Sequence, residues 1–148
     1  MLAPAVTEIS WFYWALLSAV FAALTAIFAK LGVQGVDSDL ATLLRTLLIA
    51  VLLGVFVLVS GKWISPARLR AQTLVSLLLS GLATGASWVC YFRALKLGPV
   101  SKVAPIDKLS VVLIAVFAVL FLGERPSLRD WSGIALVAAG VLVLGLRH

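Results

Sequence analysis

Five apolar segments of membrane-spanning length follow one another along the chain, and short polar connections separate them. They run over about Ser10–Ala29, Ala41–Ser60, Ala71–Leu95, Pro99–Leu122 and Trp131–Leu146. The hydrocarbon core of a bilayer is about 30 Å thick and takes roughly 20 apolar helical residues to cross. The first four segments reach that length and the fifth is shorter. The pattern predicts an all-α membrane protein with five transmembrane helices, organised as a single domain over residues 1–148.

Composition agrees with this assignment and excludes other classes of protein. Hydrophobic residues make up 63% of the chain, and the mean hydropathy is +1.16. Charged residues are only 12%, about half the share of a soluble domain. The net charge of +6 comes from basic residues between the spans, without the basic patch that marks a nucleic-acid-binding face. We therefore expect the lipid bilayer as the chain's surroundings and no nucleic acid as a partner.

The inventory of reactive residues does not suggest an enzyme. The only histidine is the terminal His148, so a serine nucleophile would lack a base. The single cysteine, Cys90, lies within an apolar run and cannot form a disulfide framework or a zinc site alone. We expect no catalytic residues, no metal and no cofactor.

The fourth segment carries charges where a membrane helix rarely has them. Asp107 lies about 12 Å along the helix from Pro99, inside the hydrocarbon, where an unpaired charge costs at least ~2.5–3.5 kcal/mol. Lys108 follows it directly, and Pro105 predicts a kink in the same helix. Such charges face a protein interior or a wet cavity and not lipid. We interpret Asp107 and Lys108 as candidate substrate-binding residues, and Asp107 also as the candidate for proton coupling.

Two interpretations of these charges stay open. Arg45 in the second segment and Arg93 in the third lie toward the same side of the membrane as Asp107. An ion pair between Asp107 and either arginine would neutralise buried charge and be purely structural. The functional interpretation is that Lys108, Arg45 or both attract a carboxylate or another anionic group of a substrate.

Polar and aromatic side chains recur at spacings of three and four, and so share one face, on two predicted helices. On the third helix this face carries Thr73, Ser76, Ser80, Thr84, Ser87 and Tyr91. On the first helix it carries Trp11, Trp14, Ser18, Phe21, Thr25 and Phe28. Either helix packing or a cavity wall accounts for such faces. We assign substrate-binding roles to Trp14, Ser18, Arg45, Thr84, Ser87, Trp88 and Tyr91.

Small residues mark the fifth predicted helix, which reads GIALVAAGVLVL from Gly133 to Leu144. Gly133 and Gly140 permit the close backbone approach seen where membrane helices pack together. We therefore assign this helix to dimer packing and not to the substrate.

Basic residues are balanced across the two sides of the membrane. One side carries Lys62, Arg68, Arg70, Arg125 and Arg129, and the other carries Lys30, Arg93, Lys96, Lys102 and Arg147. An excess of Lys and Arg in short loops normally fixes orientation, and here neither side has one. The balance favours dual topology, in which copies insert both ways and pair as an antiparallel homodimer. The alternative is that one residue at the margin, such as Arg45, decides a single orientation.

Four sequence stretches from Tyr91 onward form a recognisable set. They are YFRALKLGPVS, APIDKLS, LFLGERPSLRDW and GIALVAAGVLVL, and the most diagnostic part is LGE at Leu122–Glu124 followed by a short loop and a glycine-containing helix. In these stretches the chain resembles the EamA family of the drug/metabolite transporter superfamily. Larger members of that family carry ten spans as two inverted five-span halves. The resemblance implies that this chain is one half and assembles into a ten-helix dimer.

The resemblance also implies an activity. Family members export or exchange small metabolites by alternating access, with a site near the bilayer midplane. The expected substrate is a small polar or amphipathic solute, amino-acid-like, an organic acid or drug-like, in the cytoplasmic membrane of a prokaryote. The similar small multidrug resistance proteins use a glutamate in the first helix, whereas Glu8 precedes that helix here. The alternative is a lipid-carrier flippase subunit, or a non-transporting half of a heterodimer.

Overall fold

Helices dominate the computed structural model, which describes the backbone of residues 3–146 and the side chains of residues 11–145. The α-helices are α1 (Ala3–Gly32), α2 (Ser38–Val59), α3 (Ala71–Leu97), α4 (Val100–Asp107), α5 (Ser110–Phe117) and α6 (Leu128–Leu146). A 3₁₀ turn occupies Pro66–Arg68, and a π-helical turn occupies Ala118–Leu122. The described backbone contains no β-strand. Met1, Leu2, Arg147 and His148 lie outside the described residues. The structure therefore does not test the statements made above about Arg147 and His148.

Five stretches of the described chain are long and apolar enough to cross a membrane. They are Trp11–Gly32, Ser38–Val59, Ala71–Leu97, Val100–Leu122 and Leu128–Gly145. The predicted all-α membrane protein with five transmembrane helices is thereby confirmed. Three helices begin earlier than the sequence pattern predicted: α1 at Ala3, α2 at Ser38 and α6 at Leu128. Glu8, which we expected to precede the first helix, therefore lies within α1. The second span therefore includes Asp39, which the sequence pattern had left in a loop.

Both ends of α2 have a local cause in the sequence. The Asp37 carboxylate accepts hydrogen bonds from the backbone N–H groups of Asp39 (2.9 Å) and Leu40 (3.3 Å), which otherwise lack partners at a helix start. At the other end, Gly61 adopts a left-handed φ of +65° and donates its N–H to the Leu58 carbonyl. Glycine suits this position because a side chain would be strained there. Local chemistry thus sets the length of the second span.

The chain forms two compact units, residues 1–96 and 97–148. In the first unit, the buried side chains gather where α1 meets the α1–α2 connection and the last turns of α3. Val33 and Leu95 are fully buried, and Phe92 is nearly so. Two lysines close the same end: Lys30 donates to the Leu95 carbonyl at 2.5 Å, and Lys96 donates to the Val36 carbonyl at 3.1 Å. These bonds fasten α1 and its following loop to the end of α3, where helical carbonyls lack partners.

In the second unit, the fourth span is not one continuous helix. The helix α4 ends at Asp107, and Lys108 and Leu109 form a turn before α5 begins. Within the turn, the Lys108 N–H bonds the Pro105 carbonyl (2.9 Å) and the Leu109 N–H bonds the Ile106 carbonyl (3.0 Å). These are three-residue bonds in place of the four-residue bonds of an α-helix. The kink predicted from Pro105 is therefore a break in the helix just after it.

The fourth span ends in a π-helical turn, and a short connection with a capping box leads from it to α6. The π-helical turn stops at Gly123, whose φ of +68° is left-handed. The Glu124 N–H then bonds the Ala118 carbonyl at 3.1 Å. Ser127 and Asp130 start α6 by capping each other: the Asp130 carboxylate accepts from the Ser127 N–H (2.8 Å) and hydroxyl (2.7 Å), and the Ser127 hydroxyl accepts from the Asp130 N–H (3.3 Å). This reciprocal arrangement is a capping box, with Asp in place of Glu or Gln.

Candidate functional site

A cavity of about 300 Å³ lies between α1, α2 and α3 in the first unit. Its wall consists of Thr25, Phe28, Ala29, Gly32, Ala41, Arg45 and Phe92. Ligand sites in proteins span roughly 300–1,000 Å³ and are mostly apolar with a few polar groups. This cavity matches that description at its small end, with one cation and one hydroxyl among apolar residues.

Arg45 is the charged group of the cavity, and aromatic rings hold it in place. It lies in α2, about 10 Å along the helix from Ser38, and its side chain is half-buried. The guanidinium carbon is 4.4 Å from the ring centroid of Trp88 and 5.4 Å from that of Phe92. Both distances fall within the range of about 6 Å in which an aromatic face attracts a cation. Trp88 and Phe92 can meet the same group because they are four residues apart on α3.

The charge of Arg45 has no carboxylate partner among residues 11–96. Within residues 11–96 the recorded ion pair joins Arg93 to Asp39, and no carboxylate of this range lies within 4 Å of Arg45. A guanidinium is planar and carries its N–H donors along its edge. That edge has the geometry to receive a carboxylate or phosphate through two parallel hydrogen bonds.

The neighbouring arginine, Arg93, is already paired. Its Nε donates to Asp39 Oδ1 at 3.0 Å, and its Nη2 donates to Asp39 Oδ2 at 2.7 Å. Both side chains are about half exposed. The structure gives Arg93 a carboxylate partner in its own unit, because α2 starts early enough to offer it Asp39. An ion pair between Asp107 and either arginine stays a prediction. The sequence signal was present in Asp37 and Asp39, which are typical of a helix N-terminus.

Asp107 and Lys108 contact each other in the second unit. Lys108 Nζ donates to Asp107 Oδ2 at 3.3 Å, and both side chains are partly exposed. In a regular helix consecutive side chains point about 100° apart. The helix ends at Asp107 and a turn follows, which allows the two charges to meet. Substrate binding and proton coupling at this pair stay predictions.

The other predicted binding residues fall into two groups. Tyr91 is half-buried beside Phe92, with ring centroids 6.4 Å apart, and lies within electrostatic range of Arg45. The structure therefore brings Arg45, Trp88 and Tyr91 together, and their substrate contacts stay predictions. Trp14, Ser18, Thr84 and Ser87 are exposed and do not belong to the cavity wall.

One hydroxyl of the polar face on α3 is already engaged. Thr84 donates its hydroxyl hydrogen to the Ser80 carbonyl of its own helix at 2.8 Å, so it can serve a substrate only as an acceptor. The role of this face as a cavity wall stays a prediction, as do the substrate contacts of Trp14, Ser18, Thr84 and Ser87.

The sequence analysis did not identify Phe92 as a cavity residue, and it placed Thr25 and Phe28 on a polar and aromatic helix face without assigning them a binding role. Phe92 lines the cavity and stacks near Arg45, and its position four residues after Trp88 was the available signal. Thr25 and Phe28 belong to the face predicted on the first helix and do line the cavity. The useful part of that face is its last two turns, near the α1–α2 connection.

The glycines assigned to dimer packing lie on open helix surface. A Cβ atom added at Gly133 or Gly140 would meet no atom within 4 Å. Packing within the chain therefore does not account for a glycine at either place, and dimer packing stays a prediction. Among the described residues, no group of three or more His, Cys, Asp or Glu side chains is arranged to hold a metal ion.

Comparison with known proteins gives a family and two informative relatives. The profile of the EamA-like transporter family matches residues 9–146. An uncharacterized transporter in the cobO 3'region of Sinorhizobium sp is 56% identical over 137 residues, which cover 93% of this chain and 97% of the relative. A probable 4-amino-4-deoxy-L-arabinose-phosphoundecaprenol flippase subunit, ArnE, of Yersinia pestis (strain Pestoides F) is 32% identical over 83 residues. That match covers 55% of this chain and 73% of ArnE.

No solved structure matches the chain significantly. The family match nevertheless covers nearly every residue of the five spans, and the Sinorhizobium relative aligns over nearly its whole length. With five membrane-spanning helices and a cation-bearing cavity between the first three, the chain belongs to the EamA-like transporter family.

Proposed function

We propose that this chain is a protomer of a carrier that moves a small amphipathic organic anion or zwitterion across the cytoplasmic membrane by alternating access. The observation that carries the proposal is Arg45, a cation in a membrane span, stacked on Trp88 beside a cavity of about 300 Å³. A carboxylate is the group of the substrate that Arg45 would bind. Amino acids and organic acids of modest size fit these requirements.

Electrostatics supports an anionic group in preference to a cationic one. An arginine within the hydrocarbon is costly unless something compensates its charge, by about 2.5–3.5 kcal/mol at the centre of a span and less toward its ends. The aromatic faces of Trp88 and Phe92 supply part of that compensation. A substrate carboxylate would supply the rest through charge-assisted hydrogen bonds. A cationic drug would meet repulsion from Arg45 at the same place.

The shape of the cavity wall suggests what the remainder of the substrate is like. Phe28, Ala29 and Phe92 offer apolar surface, while Thr25 adds one hydroxyl. An organic anion with an apolar body would place its carboxylate at Arg45 and its body against these residues. A highly polar dianion would leave polar groups without partners, which is costly away from water.

The working unit in this proposal is an antiparallel homodimer. Support comes from the equal numbers of basic residues on the two sides of the spans, which remove the usual bias of orientation. An odd number of spans makes a second, inverted copy the natural complement of the first. The fifth span, with Gly133 and Gly140 on open surface, is the proposed packing element.

The second candidate function is a subunit of a lipid-carrier flippase. The observation that favours it is the 32% identity to ArnE, whose name states that it is a flippase subunit for an undecaprenol-linked amino sugar. The substrate of such a protein carries a phosphate, which Arg45 could also bind. In that case the partner would be a different chain, because a subunit by name works within an assembly.

Flux measurements on purified protein in proteoliposomes test the proposal against both alternatives. The panel contains labelled organic acids, amino acids and organic cations, and a fluorescent undecaprenyl phosphate derivative serves as the lipid probe. We expect saturable uptake of at least one carboxylate-bearing solute and none of the cations. Cation uptake without anion uptake would contradict the proposal. Movement of the lipid probe alone would replace it with the flippase function.

Single-cysteine labelling tests the antiparallel arrangement. Cys90 is first replaced by Ser, and one cysteine is then introduced at Lys62, in the connection after α2. An impermeant thiol reagent is applied to intact cells and to inverted vesicles. Dual topology predicts partial labelling from each side, whereas complete labelling from one side alone would rule it out.

A further inference from the structure

A second cavity lies in the other unit, away from any residue assigned a role above except the capping Asp130. It measures about 530 Å³ and runs between α5, the π-helical turn and α6. Its floor is apolar and consists of Val111, Ile114, Ala115, Ala118 and Ile134. At one end it is bounded by the connection that carries Glu124, Arg125 and Pro126. We call this feature the α5–α6 groove.

The groove has the length and position of a lipid-tail site. From Val111 to Ala118 it follows the helix for about 10 Å. The fourth span ends at Leu122 and the fifth begins at Leu128, so the charged end of the groove lies at the membrane surface and its apolar floor lies within the hydrocarbon. A molecule with an apolar tail and a charged head at the surface matches this profile.

The charges at the mouth specify which head group fits. Neither Glu124 nor Arg125 forms an ion pair with another side chain in the described part of the protein, although they are neighbours. Asp130 adds a second carboxylate, one oxygen of which already accepts two bonds from Ser127. The groove wall therefore carries one cation and two carboxylates, and Arg129 lies within electrostatic range of Asp130. This mixture of both signs complements a zwitterion better than an anion.

We propose that the α5–α6 groove binds a phospholipid whose zwitterionic head group ends in a primary ammonium, as in phosphatidylethanolamine. Arg125 binds the phosphate through charge-assisted hydrogen bonds, and Glu124 accepts from the ammonium. The groove floor is as apolar as the surrounding lipid tails, so its contacts with a tail favour no particular phospholipid. Selectivity between phospholipids comes from the head group.

Other membrane lipids fit this mouth less well for stated reasons. A phosphatidylglycerol head group brings a negative charge to a mouth that already has two carboxylates, and no cation of its own to balance them. A phosphatidylcholine head group carries a quaternary nitrogen, which has no N–H to donate to Glu124. The site therefore orders the three lipids by their head groups alone.

The test uses the full chain reconstituted in vesicles of equal parts phosphatidylethanolamine, phosphatidylcholine and phosphatidylglycerol. The protein is extracted gently, and the lipids that remain bound are identified by mass spectrometry. Wild type should retain phosphatidylethanolamine in preference to the other two. The Arg125→Gln variant should lower that retention about tenfold, since a hydrogen bond to a charged group is lost.

Matched variants separate a specific site from general surface charge. Arg129→Gln removes one positive charge near the same connection but outside the groove wall, and should retain the lipid as wild type does. Glu124→Gln should reduce the preference over phosphatidylcholine specifically. Equal retention of all three lipids by wild type, or equal losses in Arg125→Gln and Arg129→Gln, would overturn the proposal. Circular dichroism confirms that each variant keeps its helix content.

A second copy of the chain is the other occupant that could cover an apolar groove. Ile134→Cys in a chain with Cys90→Ser places one thiol on the groove floor. Efficient cross-linking between copies through this thiol would assign the groove to a protein interface and overturn the lipid proposal. Absence of cross-linking together with lipid retention supports it.

Discussion

The guanidinium of Arg45 stacks on the indole of Trp88 at 4.4 Å within a membrane-spanning segment. An aromatic face stabilises a cation through its quadrupole and leaves the positive charge intact. A carboxylate in the same place would neutralise the cation and remove its value for binding. Arg45 is thus paired with rings while Arg93 is paired with Asp39, and the binding role proposed above falls on the arginine whose charge is not neutralised.

Replacing Trp88 with Leu tests the contribution of the ring. Leu keeps an apolar side chain beside Arg45 but has no quadrupole, and a cation–π contact contributes about 0.5–1 kcal/mol or more. We expect the affinity for a transported anion to fall about two- to fivefold, measured as the concentration for half-maximal uptake. Trp63→Leu is the control, because Trp63 lies in the exposed connection after α2. Equal effects of the two substitutions would contradict a role for the stacking.

Asp107→Asn and Lys108→Ala test the charges at the break in the fourth span. If the pair acts on the substrate or on protons, both variants should insert normally and transport more slowly. Uptake rates, normalised to the amount of inserted protein, give the answer. Normal transport by both variants would mean that the ion pair between Asp107 and Lys108 is only structural.

Gly140→Leu tests dimer packing through the fifth span. No atom of the described residues lies within 4 Å of an added Cβ at Gly140, so the substitution should not disturb the folded protomer. It should nevertheless separate two copies that pack closely there, since bulky side chains prevent close backbone approach. Cross-linking or single-molecule counting measures the dimer fraction. Gly54→Leu, at another open helical position, is the control, and an unchanged dimer fraction in Gly140→Leu would remove α6 from the interface.

Gly123→Ala tests the left-handed end of the fourth span. A non-glycine residue at a φ of +68° costs about 1–2 kcal/mol, so the variant should unfold more easily in a detergent titration. Gly85→Ala is the matched control because Gly85 lies within α3, where Ala is the better helix former. Equal stability of Gly123→Ala and wild type would mean that the strained conformation is absent in solution.

The spans could be predicted from the sequence because a helix that crosses a bilayer needs about 20 consecutive apolar residues, and hydropathy along the chain shows such runs directly. The sequence also singled out Arg45, because a charge within a membrane span is costly, and Trp88 and Tyr91, but as separate candidates on two helices. The contact of Arg45 with Trp88 depends on the docking of α2 and α3, which spacing along one helix does not encode. The start of α2 was missed because Asp37 and Asp39 are polar, and hydropathy ends a segment where the backbone can still be helical. A capping argument at Asp37 would have corrected it.

Other features depend on contacts that hydropathy and spacing do not encode. The bond between Arg93 and Asp39 joins residues 54 positions apart and exists only because α2 and α3 dock in one register. The turn at Lys108 and Leu109 follows Pro105, whose presence predicted a kink but not its form. The α5–α6 groove combines a helix face with a connection, and neither the face nor Arg125 is unusual in isolation.

Transport by Arg45 variants tests the central claim most directly. Uptake of a transported organic anion is compared in wild type, Arg45→Gln, Arg45→Lys and the control Arg68→Gln, which removes a charge from an exposed turn. Arg45→Gln should lose at least about tenfold in uptake efficiency, and Arg45→Lys should keep part of it, since lysine retains the charge but not the planar fork. Arg68→Gln should behave as wild type. Unchanged uptake efficiency in Arg45→Gln would contradict the assignment of Arg45 as the anion-binding group.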